Sequence, residues 1–286
     1  MSNTLLISAK ELQARLANPS DECIVFDCRS DLINPETGIN AYQNGHIPGA
    51  LFADMNTDLS GPKTGFNGRH PLPSSEAWAK TRAYWGLSLN RPIVIYDDHG
   101  AMFAARMWWM LIACGHTHVQ ILDGGLSAWK AIGGNLSTEI PAPIKTSIDP
   151  KLIQADFSGV VLMNEVVDNL QSKNYLIIDA RANDRYRGEN ETIDPVGGRI
   201  PGAINRFFKD NLDANGLFKS PTQLKEDFLK ILDRDPEAVI HQCGSGATAC
   251  HNLFAMQLAG LTGARIYAGS WSEWCAHPNN PIATGS

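Results

Sequence analysis

The sequence predicts an α/β protein made of two tandem copies of one unit, each a mostly parallel sheet with helices on both faces. Three observations in the 286 residues predict it. The chain repeats itself: "IVFDCRS" (24–30) parallels "LIIDARA" (176–182), and "NGHIPGA" (44–50) parallels "GGRIPGA" (197–203). Further on, "PIVIYDDHG" (92–100) parallels "EAVIHQCGS" (237–245), and "ILDGGLSAWK" (121–130) parallels "IYAGSWSEWC" (266–275). Order is kept while loop lengths drift, as expected of a duplicated unit. Second, runs such as "CIVFD", "PIVIYD" and "HVQIL" are continuously apolar and β-branched, the pattern of strands buried on both faces. Third, stretches of helical length separate them, and strands alternating with helices imply a parallel sheet.

In chain order, "LLISAKELQARL" reads as a short strand leading into a helix. The start has no basic region followed by an apolar stretch and a cleavage site, so no signal peptide is expected. Helices are expected over 74–87 and 104–115 in the first copy, and over 220–232 and 249–261 in the second. Thr222 is the expected N-cap of the third of these, with Lys225 where a capping box wants Glu or Gln. The Pro- and Ser-rich stretch 136–155 reads as the connection. The expected domains are 1–138 and 156–286, with a linker over 139–155.

The balance of 24 Lys and Arg against 30 Asp and Glu gives a net charge of −6. No global attraction for nucleic acid or an anionic membrane follows. No run of 18 apolar residues is present, and a cytoplasmic protein is the expectation. The six cysteines, Cys23, Cys28, Cys114, Cys243, Cys250 and Cys275, show no CxxC and no paired ligand spacing. Neither a disulfide framework nor a metal site is expected.

The informative stretch is "IHQCGSGATACHNLF" (240–254). A buried strand runs into Cys243, then into Gly244, Ser245, Gly246, Ala247 and Thr248, then into a helix. In an open α/β sheet ligands bind beyond the carboxyl ends of the strands. Glycines let successive N–H groups turn inward as an anion nest, and the helix N-terminus adds positive potential. Both favour a thiolate, the nucleophilic form of cysteine. The alternative is a structural cysteine ahead of a glycine turn. The motif alignment sets Asp98 opposite Cys243, so only the second copy keeps the sulfur.

These motifs together resemble the tandem-domain rhodanese-like sulfurtransferases: "DCRS" and "DARA", "GHIPGA" and "GRIPGA", "CGSGATAC" and "GSWSEW", in the family's order and over nearly the whole chain. The resemblance implies two rhodanese-like domains, the first inactive and the second catalytic through Cys243, with the loop Cys243–Thr248 around the sulfur. Related phosphatase-like loops are one residue longer and need Arg six positions after the cysteine, where this chain has Ala249. Within the family "CGSG" loops go with 3-mercaptopyruvate and "CRKG" loops with thiosulfate. The expected reaction is therefore sulfur transfer from 3-mercaptopyruvate, through a Cys243 persulfide, to cyanide or a thiol such as thioredoxin or glutathione. Thiosulfate is the alternative donor, and a non-catalytic persulfide carrier the alternative class. No cofactor is implied.

By the same resemblance Arg185, in "NDRYRGE", is the substrate-binding arginine, although from the residues alone it reads as a surface or ion-pair residue. The family's second arginine, nine positions on, is replaced by Asp194, and Arg199 is the residue expected to supply the missing charge. Gly244, Gly246, Ala247 and Thr248 are expected to line the donor site. A Ser–His–Asp assembly proposed for mercaptopyruvate enzymes maps onto Ser245, His70 in "GRHPLP" and, as nearest candidate, Asp58. His70 reads equally as a loop histidine bonded to backbone. Asp27, Asp179, the paired Trp108 and Trp109, Trp271, Trp274 and Cys250 read as structural.

Overall fold

The computed structural model describes residues 4–142 and 148–285. Residues 143–147 of the expected linker lie outside the described residues. The chain divides into two compact units, one of 1–61, 73–158 and 215–217, the other of 62–72, 159–214 and 218–286. Residues 62–72, which precede the expected linker, thus group with the second unit.

The first unit runs β1 (Leu6–Ile7), α1 (Ala9–Leu16), β2 (Ile24–Asp27), α2 (Glu36–Gln43), β3 (Leu51–Phe52), α3 (Ser75–Tyr84), β4 (Ile93–Tyr96), α4 (Ala104–Ala113), β5 (Val119–Leu122) and α5 (Gly125–Ala131). Its five strands are all parallel, in the order β1-β5-β4-β2-β3. Every residue of β2 and β4 is buried, which is why these strands read as unbroken apolar runs. One face carries Val25, Val94 and Tyr96 against Leu12 of α1 and Leu126 and Trp129 of α5. On the other, the Phe26 ring meets Trp85 at 4.8 Å, and Trp85 meets Trp78 of α3 at 5.9 Å.

The second unit repeats the plan: β6 (Val160–Val161), α6 (Met163–Ser172), β7 (Leu176–Asp179), α7 (Asn183–Arg187), β8 (Ile204–Asn205), α8 (Pro221–Leu229), β9 (Val239–Gln242), α9 (Ala247–Leu258), β10 (Arg265–Tyr267) and α10 (Ser270–Trp274). The order β6-β10-β9-β7-β8 is again all parallel. Trp271 and Trp274 are fully buried in the core with Val161, Ile177 and Ile240. The N-cap of α8 is Ser220, not Thr222. Ser220 Oγ accepts the Gln223 N–H, and Gln223 Oε1 accepts the Ser220 N–H, a complete capping box. Pro221 fixes the shift: it is pre-set for the first helical position, where no N–H is needed.

Strand register corrects the equivalence of the two halves. Asp27 pairs with Tyr96, and Asp179 with Gln242, so the residue after each central strand is Asp97 in one unit and Cys243 in the other. The next turn agrees: Leu126 N–H donates to Asp97 O as Trp271 N–H does to Cys243 O. The counterpart of Cys243 is therefore Asp97 rather than Asp98. The longer first-unit loop had shifted the motif alignment by one residue.

Asp27 and Asp179 close their strands identically. Each carboxylate accepts the backbone N–H and the guanidinium fork of the arginine two residues on, and that arginine also donates to a carbonyl, Arg29 to Gly45 and Arg181 to Gly198. Asp27 accepts Tyr96 Oη–H as well, at 2.7 Å. Breaking such a buried pair from one side leaves an uncompensated charge. Asp27→Asn is expected to cost about 3 kcal/mol or more of unfolding free energy, measured by urea denaturation, and a loss below about 1 kcal/mol would show the pair to be dispensable.

Candidate active site

At the end of β9 all of residues 241–250 are buried, and Cys243 is 2% exposed. Its backbone is fixed from α10: Cys243 N–H donates to Ser270 Oγ (3.1 Å), and Trp271 N–H and Ser272 N–H donate to the carbonyls of Cys243 and Gly244. Gly246 is the N-cap of α9 at φ 85°, a left-handed conformation that glycine adopts without strain, and its N–H donates to Cys243 Sγ at 3.1 Å. The sulfur thus sits at the positive end of a 12-residue helix.

The first unit builds the same turn and fills it. The Asp97 carboxylate accepts the N–H groups of His99, Ala101, Phe103 and Ala104 at 2.8–3.0 Å. Phe103, the N-cap of α4, does there what Gly246 does for the sulfur. The nest is occupied by the chain's own carboxylate.

Ser245 and His70 meet. His70 Nδ1 lies 2.7 Å from Ser245 Oγ, both residues being at least 94% buried. Gly68, at φ 86°, brings this segment in: a Cβ there would lie 2.8 Å from the carbonyl of Gly269, and the Arg69 N–H donates to Ser272 Oγ. The "NGRH" glycine was the available sequence signal for this approach.

Arginines cover the other side of the loop. A Cβ on Gly244 would lie 2.8 Å from Arg69 Nη2, 3.6 Å from Arg185 Nη2 and 3.8 Å from Arg185 Nη1. Arg185 is held by Glu191 through Nε and Nη2, and by Asp194 through Nη2 at 3.3 Å. Asp194 also binds Arg69 Nη1. Burial alone would push the Glu191 carboxyl up, but Arg185 and the N–H groups of Asp194 and Ile193 hold it below the ordinary range. Arg181, stacked over Trp271 at 4.8 Å, is similarly kept charged: against burial, Asp179, Glu191 and the Cys243 sulfur raise its pKa. Nothing in the sequence marks Arg69 and Glu191 as convergent on this loop, and Arg181 is visible there only as part of the repeated Asp-x-Arg motif.

The other expected residues have partners of their own. Arg199 donates to the Gly285 carbonyl at 2.6 Å and stacks over Tyr186 at 4.6 Å. Asp58 belongs to the first unit, in a turn where its carboxylate accepts the Asp54 N–H. Ala247 and Thr248 form the buried first turn of α9. The Cys250 thiol donates to the Gly246 carbonyl at 3.1 Å. Burial pushes up the thiols of Cys23, Cys28, Cys114 and Cys275, the last to about 11. Among the described residues no cluster of His, Cys, Asp or Glu is arranged to hold a metal ion, and no helix is long and apolar enough to cross a membrane.

Comparison with known proteins places this geometry in a family. The rhodanese-like domain profile matches residues 8–132 and again 162–277. The chain is 45% identical to a Pseudomonas aeruginosa protein named "Probable 3-mercaptopyruvate sulfurtransferase", over 100% of both chains. It is 35% identical to human 3-mercaptopyruvate sulfurtransferase, over 88% of this chain and 86% of that one. Mouse thiosulfate sulfurtransferase is 34% identical, over 85% and 82%. Among solved structures, the 3-mercaptopyruvate sulfurtransferase of Leishmania major superposes with a TM-score of 0.82 at 27% identity, over 96% of this chain and 75% of that one. The chain belongs to the rhodanese-like family, with two tandem copies of the domain.

Burial raises the Asp58 pKa from 3.8 to about 6. Between those values the unfolded chain has lost this proton and the folded chain has not, so stability falls as pH rises through the window. Relative to Asp58→Asn, the wild type is expected to lose up to about 3 kcal/mol between pH 4 and pH 7. Urea melts of both proteins across this range check it, and parallel pH profiles would refute it.

Proposed function

We propose that the protein is a sulfurtransferase taking sulfur from 3-mercaptopyruvate through a persulfide on Cys243. The observation that carries the donor assignment is the 2.7 Å contact between His70 and Ser245, two positions from the nucleophile. The sulfur of 3-mercaptopyruvate carries a proton and its leaving carbon needs one, whereas thiosulfate gives up an unprotonated sulfur and releases sulfite. A hydroxyl–imidazole pair therefore serves the first donor and has no task with the second. The uncharged loop Gly244-Ser245-Gly246 and the names of the relatives support the same reading.

In the first step the Cys243 thiolate attacks the donor sulfur. The S–S bond forms, the C–S bond breaks, and its electron pair leaves with pyruvate as the enolate. Ser245 and His70 pass the thiol proton to the enolate carbon, leaving Cys243 as an anionic persulfide. The Gly246 N–H and the end of α9 stabilise that anion as they do the thiolate. Arg185 anchors the donor carboxylate. In the second step an acceptor thiol or cyanide takes the outer sulfur and the thiolate is restored. Small thiols, thioredoxin-like proteins and cyanide are the acceptor classes this chemistry allows.

Turnover is measured with 3-mercaptopyruvate and with thiosulfate, cyanide being the acceptor. Cys243→Ser is expected to abolish both activities, and residual turnover in it would overturn the nucleophile. His70→Gln is expected to lower kcat with 3-mercaptopyruvate by about 10²-fold while changing thiosulfate turnover less than threefold, within roughly the range of general acid–base effects. Equal losses with both donors, or a wild type that prefers thiosulfate, would overturn the donor assignment.

A further inference from the structure

We infer that Arg69 is a second donor-carboxylate residue, standing in for the arginine whose place Asp194 occupies. The inference rests on the donor reading above and concerns a residue to which that reading gave no role. The family resemblance leads to an expectation of two arginines nine positions apart, and this chain has Arg185 and then Asp194. The Asp194 side chain is 2% exposed and binds Arg185 with one oxygen and Arg69 with the other. It converts a missing cation into a bracket that fixes two.

Arg69 is placed for this from both ends. Its backbone is pinned to Ser272 by a 3.0 Å hydrogen bond, and Gly68 allows the close approach to Gly269. Its Nη1 is committed to Asp194. Its Nε is buried and makes no hydrogen bond among the described residues, and Nη2 projects over Gly244, beside the nucleophile. Arg185 presents Nη1 over the same glycine. Two guanidinium edges thus converge on one small volume, the arrangement that suits a carboxylate. Gly244 leaves that volume open, since any Cβ there would press on Arg69 Nη2. The charge at this point comes from Arg69 and Arg185, outside the loop. Asp194 and Glu191 offset them, which favours a monoanion such as a carboxylate over a dianion.

Two readouts test the inference. The first is steady-state turnover of 3-mercaptopyruvate by Arg69→Met. KM is expected to rise about tenfold with kcat within about threefold, the pattern of lost uniform binding. The second needs no sulfur donor: the rate of Cys243 alkylation by iodoacetate against iodoacetamide, read by peptide mass. Both reagents form the same kind of S–C bond and expel iodide, and only one carries a carboxylate. The iodoacetate-to-iodoacetamide ratio is expected to fall about fivefold or more in Arg69→Met, with the iodoacetamide rate unchanged, and to recover in part in Arg69→Lys, which keeps the charge and loses the fork. The double swap R69D/D194R, which returns the cation to position 194, is expected to restore the ratio. An unchanged ratio in folded Arg69→Met would overturn the inference. If the wild type fails to turn over 3-mercaptopyruvate, the donor reading falls, and the alkylation ratio still decides whether Arg69 recognises a carboxylate.

Discussion

The structure depends on one electrostatic requirement: the N–H groups where the central strand turns into its helix need an acceptor. A parallel sheet flanked by helices creates that demand by construction, since each helix presents unpaired donors at the carboxyl edge of the sheet. The two halves answer it differently. The first fills the turn with the Asp97 carboxylate and becomes a closed, four-donor knot. The second places the Cys243 sulfur there, within reach of Gly246 N–H. One side chain at one register position, a carboxylate or a sulfur, separates the two turns.

The rest of the second unit is built around the backbone and side chains that surround that sulfur. Backbone donors must do the work, because side chains on the loop would fill the space above it. Gly244 and Gly246 are bare for different reasons: the first lies under two guanidinium groups, the second needs a positive φ. Cations are then brought from elsewhere, on Arg69 and Arg185, and held by Asp194 and Glu191. Holding them costs net charge but fixes direction, and direction matters most for a planar, bidentate ligand.

Much of this was legible in the residues. The strands were evident because burial on both faces forces unbroken apolar runs, and the duplication because four motifs recur in order, among them the Asp-x-Arg that closes β2 and β7. Cys243 stood out through the glycines around it. The errors arose where local patterns compete. Thr222 and Ser220 are both acceptable caps, and only the fixed φ of Pro221 selects Ser220. Asp97 and Asp98 are adjacent, and only hydrogen-bonded register tells which follows the strand.

By itself the sequence determined the fold class, the tandem repeat and the glycine-framed turn that holds Cys243. Each is encoded in residues close together in the chain, through periodicity, backbone freedom and the chemistry of sulfur. Only the tertiary structure decided which distant side chains converge on the loop after Cys243. His70 reaches Ser245 across 175 residues, Arg69 and Asp194 meet across 125, and Arg199, the expected cation, turns instead to Gly285 and Tyr186. A charged residue's role is set by what desolvates and orients it, and those partners are chosen by packing, not by neighbours in sequence.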